Sequence, residues 1–233
     1  MTHVTINGPV GSGVSALGID VAKLMEANYV DRIVLAEAAK LVGSTVEILD
    51  IKAHRLISFK DRLSYFLQTM LERSAMSGAS GEPYFSPGVE HLPSEEYGSL
   101  IREPITAAQQ MDDFRFMEAL RSVIIDFTVN SGDSVIVGRG SNIILQDHPD
   151  VIHVCVNAPY AMRLETISRD QNMDSRSAGK YIADMEEARV QFYKKFFSVD
   201  PNDSTLYHLV FNLGKMSVGN VARIITQTAS CHT

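Results

Sequence analysis

At 233 residues, 45% hydrophobic and 21% charged, the chain has an ordinary globular composition and enough length to bury a full core in one domain. Its formal charge of −7 argues against an extended nucleic-acid footprint, which needs a basic face, though one small anion needs only a local cluster. Neither Cys155 and Cys231 nor the seven histidines show metal-ligand spacing, and no stretch nears the roughly 18 apolar residues of a membrane span. A zinc site and a membrane anchor are therefore not expected, and a cytoplasmic location is.

The chain opens on a β-branched run, His3-Val4-Thr5-Ile6, followed at once by Gly8-Pro9-Val10-Gly11-Ser12-Gly13. A helical pattern comes next, with Ala16, Ile19 and Leu24 predicted on its buried face. Tyr29 to Arg32 supplies one more short strand. Leu56, Phe59, Leu63, Phe66 and Met70 step by three and four, which predicts a helix within 47–76. Gly78, Gly81, Pro83, Pro87, Gly88 and Pro93 then mark a long loop over 77–93, a length often functional or mobile. Asp112 to Val129 reads as a helix with Phe114, Met117, Leu120, Ile124 and Phe127 on one side.

The second half restores a strand–helix rhythm. Val135-Ile136-Val137 ends in Gly138-Arg139-Gly140, and Val151 to Val156 is a buried-strand run. Residues 161–196 read as helices rich in both signs of charge, Tyr207 to Asn212 as a last strand, and Val218 to Thr226 as a closing helix. The fold class is α/β: a doubly wound parallel sheet of about five strands in a single domain, 1–233, with ligands gathering at the strands' carboxyl ends.

The glycine turn carries the strongest chemistry. Gly8-x-x-x-x-Gly13-Val14-Ser15 has the spacing of a phosphate-binding loop, with valine where such loops have lysine. Its glycines, Gly8, Gly11 and Gly13, let backbone N–H groups converge on an anion, and the helix that follows adds its positive end. Ser12, Val14 and Ser15 complete the loop, and the Ser15 hydroxyl stands where it would contact magnesium. The bland alternative is a tight strand-to-helix turn with no ligand. A dinucleotide site also suits Gly8, Gly11 and Gly13, with Asp31 as the ribose acid, but no Tyr-x-x-x-Lys pair appears and Arg139 stays unexplained. An arginine at a strand's carboxyl end, as Arg139 is, can fork onto phosphate. Arg163, Arg169, Arg176 and Arg189 follow among six acids, so a solvated helical face competes with a ligand role there.

The order of these segments resembles the cytidylate kinase-like family, P-loop relatives of the nucleoside monophosphate kinases. The similar pieces are Ile6 to Ser15, Tyr29 to Arg32, Val135 to Gly140, Val156 to Pro159 with Arg163, Glu186 to Phe196, and Tyr207 to Asn212. The resemblance implies a three-layer P-loop fold with a helical acceptor-binding insertion at 47–110 and a lid at about 163–197. It implies ATP and Mg2+ as donor and cofactor, with the donor phosphates on the Gly8–Ser15 loop. Asp31, Arg32 and Arg139 would face the acceptor, and Arg163, Arg169 and Arg189 would neutralise charge during transfer. The activity implied is ATP-dependent phosphoryl transfer to a nucleoside monophosphate, cytidylate-like, or a similar small phosphorylated acceptor. Departures are Val14 for lysine, Glu186 for the usual aspartate, and His208 for an acid. The missing lysine keeps a second reading open, a non-catalytic nucleotide-sensing protein derived from such a kinase.

Overall fold

The computed structural model describes residues 1–31 and 107–232, with side chains of the second segment from residue 113. The helix expected within 47–76, the loop 77–93, Arg32 and nearly all of the 47–110 insertion lie outside the described residues.

β-Branched runs form five strands: β1 (His3–Asn7), β2 (Asn28–Val30), β3 (Ser134–Val137), β4 (Val151–Asn157) and β5 (Leu209–Asn212). They make one sheet in the order β2-β3-β1-β4-β5, and every pairing is parallel. β1 sits at the centre, in register His3 to Ser134 on one side and His3 to Val151 on the other. All five strands therefore present their carboxyl ends along one rim.

The helices are α1 (Val14–Met25), α2 (Ala107–Asn130), α3 (Ser141–Ile144), α4 (Tyr160–Asp170), α5 (Ser175–Phe197) and α6 (Val218–Cys231). Period-two alternation sends Val4, Ile6, Val135, Val137, Ile152, Val154 and Val156 to one face, where Leu17 and Val21 of α1 and Val221 and Ile225 of α6 cover them. Ile136 and Val30 point the other way, into Leu120, Ile124 and Phe127 of α2 and Phe192 of α5. The result is the three-layer α/β sandwich with a doubly wound parallel sheet that the rhythm of the chain predicts.

The face expected for α1 is corrected. Leu17, Gly18, Val21 and Ala22 are buried, whereas Ala16 is exposed, Ile19 half-buried and Leu24 50% exposed. The helix starts at Val14 directly off the glycine turn, so its register against the sheet is set by that turn and not by its most hydrophobic residues. Phe114, expected on the buried side of α2, is likewise exposed among the described residues. Two helices share the region 161–196, divided where Asp174 accepts hydrogen bonds from Arg176 N–H and Ser177 N–H, both at 2.9 Å, and so caps α5.

Candidate phosphate and acceptor site

The site begins where β1 ends. Gly8 lies so close to the end of β4 that a Cβ there would run into the Val156 carbonyl oxygen, and any larger residue would push the turn off the sheet. Gly13 then takes φ +86°, a left-handed conformation that side chains rarely adopt, and this turn points α1 out from the rim. As the N-cap of α1, Gly13 offers no side-chain acceptor, so the amides of the first turn are left for a ligand.

Two buried polar groups stand in the same place. The Ser12 hydroxyl, in a residue 2% exposed, and the amide nitrogen of Asn7, 3% exposed, have no hydrogen-bond partner among the described residues. Both residues line a cavity of about 660 Å3, within the size range of small-molecule sites. Orphaned donors of this kind cost about 1–3 kcal/mol each unless something meets them, and an anion on the loop would. The donor set therefore fits a phosphate group.

The cavity brings most of the expected residues together. Its walls include Gly8, Gly11, Ser12, Gly13, Val14 and Ser15 from the loop, Asp31 past β2, and Arg139 past β3. Arg169 and Arg189 reach it from α4 and α5. Arg139 is buried and held at φ +56° between two left-handed glycines, Gly138 and Gly140. A non-glycine residue kept there by its surroundings is the kind of backbone strain found at ligand sites. Val14 is half-buried, packing against the apolar cluster between the sheet and α1 while also lining the cavity, so an aliphatic side chain stands at the position of the lysine.

The arginines divide by partner. Arg189 is 7% exposed and donates to Glu186 Oε1 from Nε at 3.0 Å and to Asn202 from Nη2. Burial works against its charge, but the hydrogen bonds to Glu186 and that carboxylate's charge outweigh it and hold the pKa above the usual arginine value. Arg169 pairs with Asp170 at 2.8 Å and its side chain is 71% exposed. Arg163, expected beside the donor phosphates, does not line the cavity. Its Nε donates instead to the Val10 carbonyl at 2.7 Å, and its Nη2 lies 3.6 Å from Glu186. Burial pushes its pKa down, and the Glu186 carboxylate acts the other way.

Some participants were not singled out as site residues in the sequence. Tyr193 on α5 places its hydroxyl 3.1 Å from Asn7 Oδ1 and 3.0 Å from Asn142 Oδ1, tying the arginine-bearing helix to the rim of β1 and to α3. Glu186 links Arg189, Arg163 and the loop. Its spacing of three before Arg189 is a helical pair visible in the sequence, but nothing in the sequence places Asn7 opposite Tyr193. His208, the departure from an expected acid, accepts the His153 backbone N–H at 2.9 Å on Nδ1 and stacks on the His153 ring, so it is an edge contact of β4.

Among the described residues no helix is long and apolar enough to cross a membrane. A family model described as the cytidylate kinase-like family matches residues 3–215. A cytidylate kinase from Methanoregula boonei is 27% identical over 150 residues, 63% of this chain and 76% of that one. A cytidylate kinase from Methanopyrus kandleri is 29% identical over 94 residues, 37% of this chain, and the match spans about half (49%) of that enzyme. Among solved structures, an uncharacterized protein from Eubacterium ventriosum superposes with a TM-score of 0.63 at 14% identity, covering 99% of each chain, a likeness of fold. With the phosphate loop, the parallel sheet and a match over nearly its whole length, the chain belongs to the cytidylate kinase-like family.

Proposed function

We propose that the chain transfers the γ-phosphoryl group of ATP to a nucleoside monophosphate, cytidylate-like, or to a similar small phosphorylated acceptor. One arrangement supports this most: an uncapped helix start with orphaned donors opens into a cavity whose walls also carry Arg139 and Arg189. Phosphoryl transfer asks chiefly for positioning and charge neutralisation, and this wall supplies both without a covalent nucleophile. The first-turn amides of α1 and the Ser12 hydroxyl would seat the donor phosphates. Arg139, on a separate strand, would fork onto the acceptor phosphate, with Asp31 beside it. An acceptor oxygen then bonds to the γ-phosphorus as the bridge to the β-phosphate breaks, and Arg189 and Arg169 cover the charge that passes to ADP. Magnesium, when bound, would neutralise and orient the donor phosphates, with the Ser15 hydroxyl among its ligands.

The test is ADP release from ATP and Mg2+ with each nucleoside monophosphate in turn. Turnover is expected with at least one of them. Arg139→Ala should raise the KM for that acceptor by roughly tenfold or more, the value of a charge-assisted contact, and leave ATP binding nearly intact. Equal losses for both ligands would make Arg139 structural. ATP binding without turnover of any monophosphate would leave a nucleotide-sensing protein.

A further inference from the structure

A phosphate loop with lysine carries a cation inside itself; this loop has the uncharged Val14 there, half-buried against the apolar cluster between the sheet and α1. Its shape is held from outside, at Val10. The Val10 carbonyl accepts from Arg163 Nε of α4 at 2.7 Å, and the Val10 N–H donates to Glu186 Oε2 of α5 at 3.3 Å. Arg163 Nη2 and Glu186 Oε2 face each other at 3.6 Å, and Glu186 Oε1 takes Arg189. The Val10 side chain packs into the apolar cluster of Ile167, Ala178 and Ile182, between the same two helices. At Gly11 an added Cβ would lie 2.8 Å from the Arg163 carbonyl oxygen, so α4 is seated directly on the turn. A single residue of the loop is thus gripped by both its peptide groups and its side chain.

We propose that Arg163 and Glu186 are positioning residues that clamp the Val10 peptide and keep the glycine loop in its phosphate-receiving shape. Arg163 acts on the loop's backbone, and Glu186 carries the state of the loop to Arg189. The α4–α5 hairpin and the loop consequently move as one body, and a phosphate meets a loop already formed. The consequence for catalysis rests on the phosphotransferase reading above; the clamp itself does not.

Hydrogen–deuterium exchange on the full chain without nucleotide tests it. Arg163→Ala and Glu186→Ala should each speed exchange of the Val10 and Ser12 amides, which donate to Glu186 and to the Pro9 carbonyl, by roughly 10- to 100-fold, the range for a lost charge-assisted hydrogen bond. Exchange in β3 and β4 should hold. The double variant should resemble either single one, because both open the same clamp. Arg163→Lys keeps one donor for the Val10 carbonyl and should recover part of the protection. Glu186→Gln, of the same shape, should give the alanine result in milder form and serves if an alanine variant does not fold. In turnover the same variants should lower kcat by more than they raise the acceptor KM. Unchanged loop exchange, equal speeding across the whole chain, or additive effects in the double variant would each overturn the clamp. A clamp-dependent loop in a protein that turns over no monophosphate would overturn the phosphotransferase reading alone.

Discussion

Ser12 keeps its hydroxyl inside the loop with no hydrogen-bond partner among the described residues, and that asymmetry makes a two-signed prediction. Removing an unmet buried hydroxyl relieves a penalty of about 1–3 kcal/mol. Ser12→Ala should therefore leave the ligand-free protein as stable or raise its melting temperature, while the further rise produced by ATP shrinks. A lower melting temperature without ligand would show the hydroxyl to be structurally engaged. At this scale the sequence was informative about glycines, because Gly8 and Gly13 answer to local geometry that spacing reveals. It was less so about arginines. Arg139 and Arg189 both line the cavity, whereas Arg163 turns to a backbone carbonyl, since which way a long side chain points depends on the neighbouring helix. Asn7 was legible only as part of the Ile6–Ser15 run; its contact with Tyr193, 186 residues away in sequence, was not.

The element that organises the site is α5. Its middle carries Glu186 and Arg189, and its C-terminal end is anchored by Phe192, Tyr193 and the Lys195–Asp113 ion pair at 2.6 Å to α2. Tyr193 gives this anchor direction by spanning Asn7 and Asn142. Tyr193→Phe should cost about 1 kcal/mol, the net value of a hydrogen bond, read as a shift in the urea midpoint with an unchanged slope. No shift would mean that the aromatic packing alone holds the helix. Strand identity was legible because β-branched runs ending in glycine or asparagine leave few alternatives. The buried face of α1 was not. Leu24 looks like core to any periodicity argument, yet the turn at Gly13 rotates it outward.

At the scale of the molecule, the histidines among the described residues collect on the sheet and at its edge away from the site. His153 is buried, its Nδ1 2.8 Å from the Thr5 hydroxyl, with His208 stacked on it and His232 against His208. Burial, and then the charge of His208, lower the His153 pKa to about 4 from 6.5. His208 and His3 shift the same way, also chiefly through burial. Below pH 6.5 the unfolded chain takes a proton at residue 153 that the folded one refuses. That share of the stability is complete above pH 6.5 and drains away as pH falls toward 4. By pH 5 the loss from His153 alone should reach about 2 kcal/mol. Denaturant midpoints at pH 7.5 and 5 should show it, and His153→Asn should flatten the difference; an equally steep drop in the variant would move the cause elsewhere. The central place of β1 has another consequence, for synthesis. His3 to Asn7 are made long before their partners, Ser134 to Val137 and Val151 to Cys155. At about 5–20 residues per second, the first strand waits roughly 7–30 s for its neighbours. Through that interval the nascent chain carries an unpaired β-branched strand and a glycine turn with nothing to rest on, so the segment proposed to hold phosphate needs shelter while it is being made.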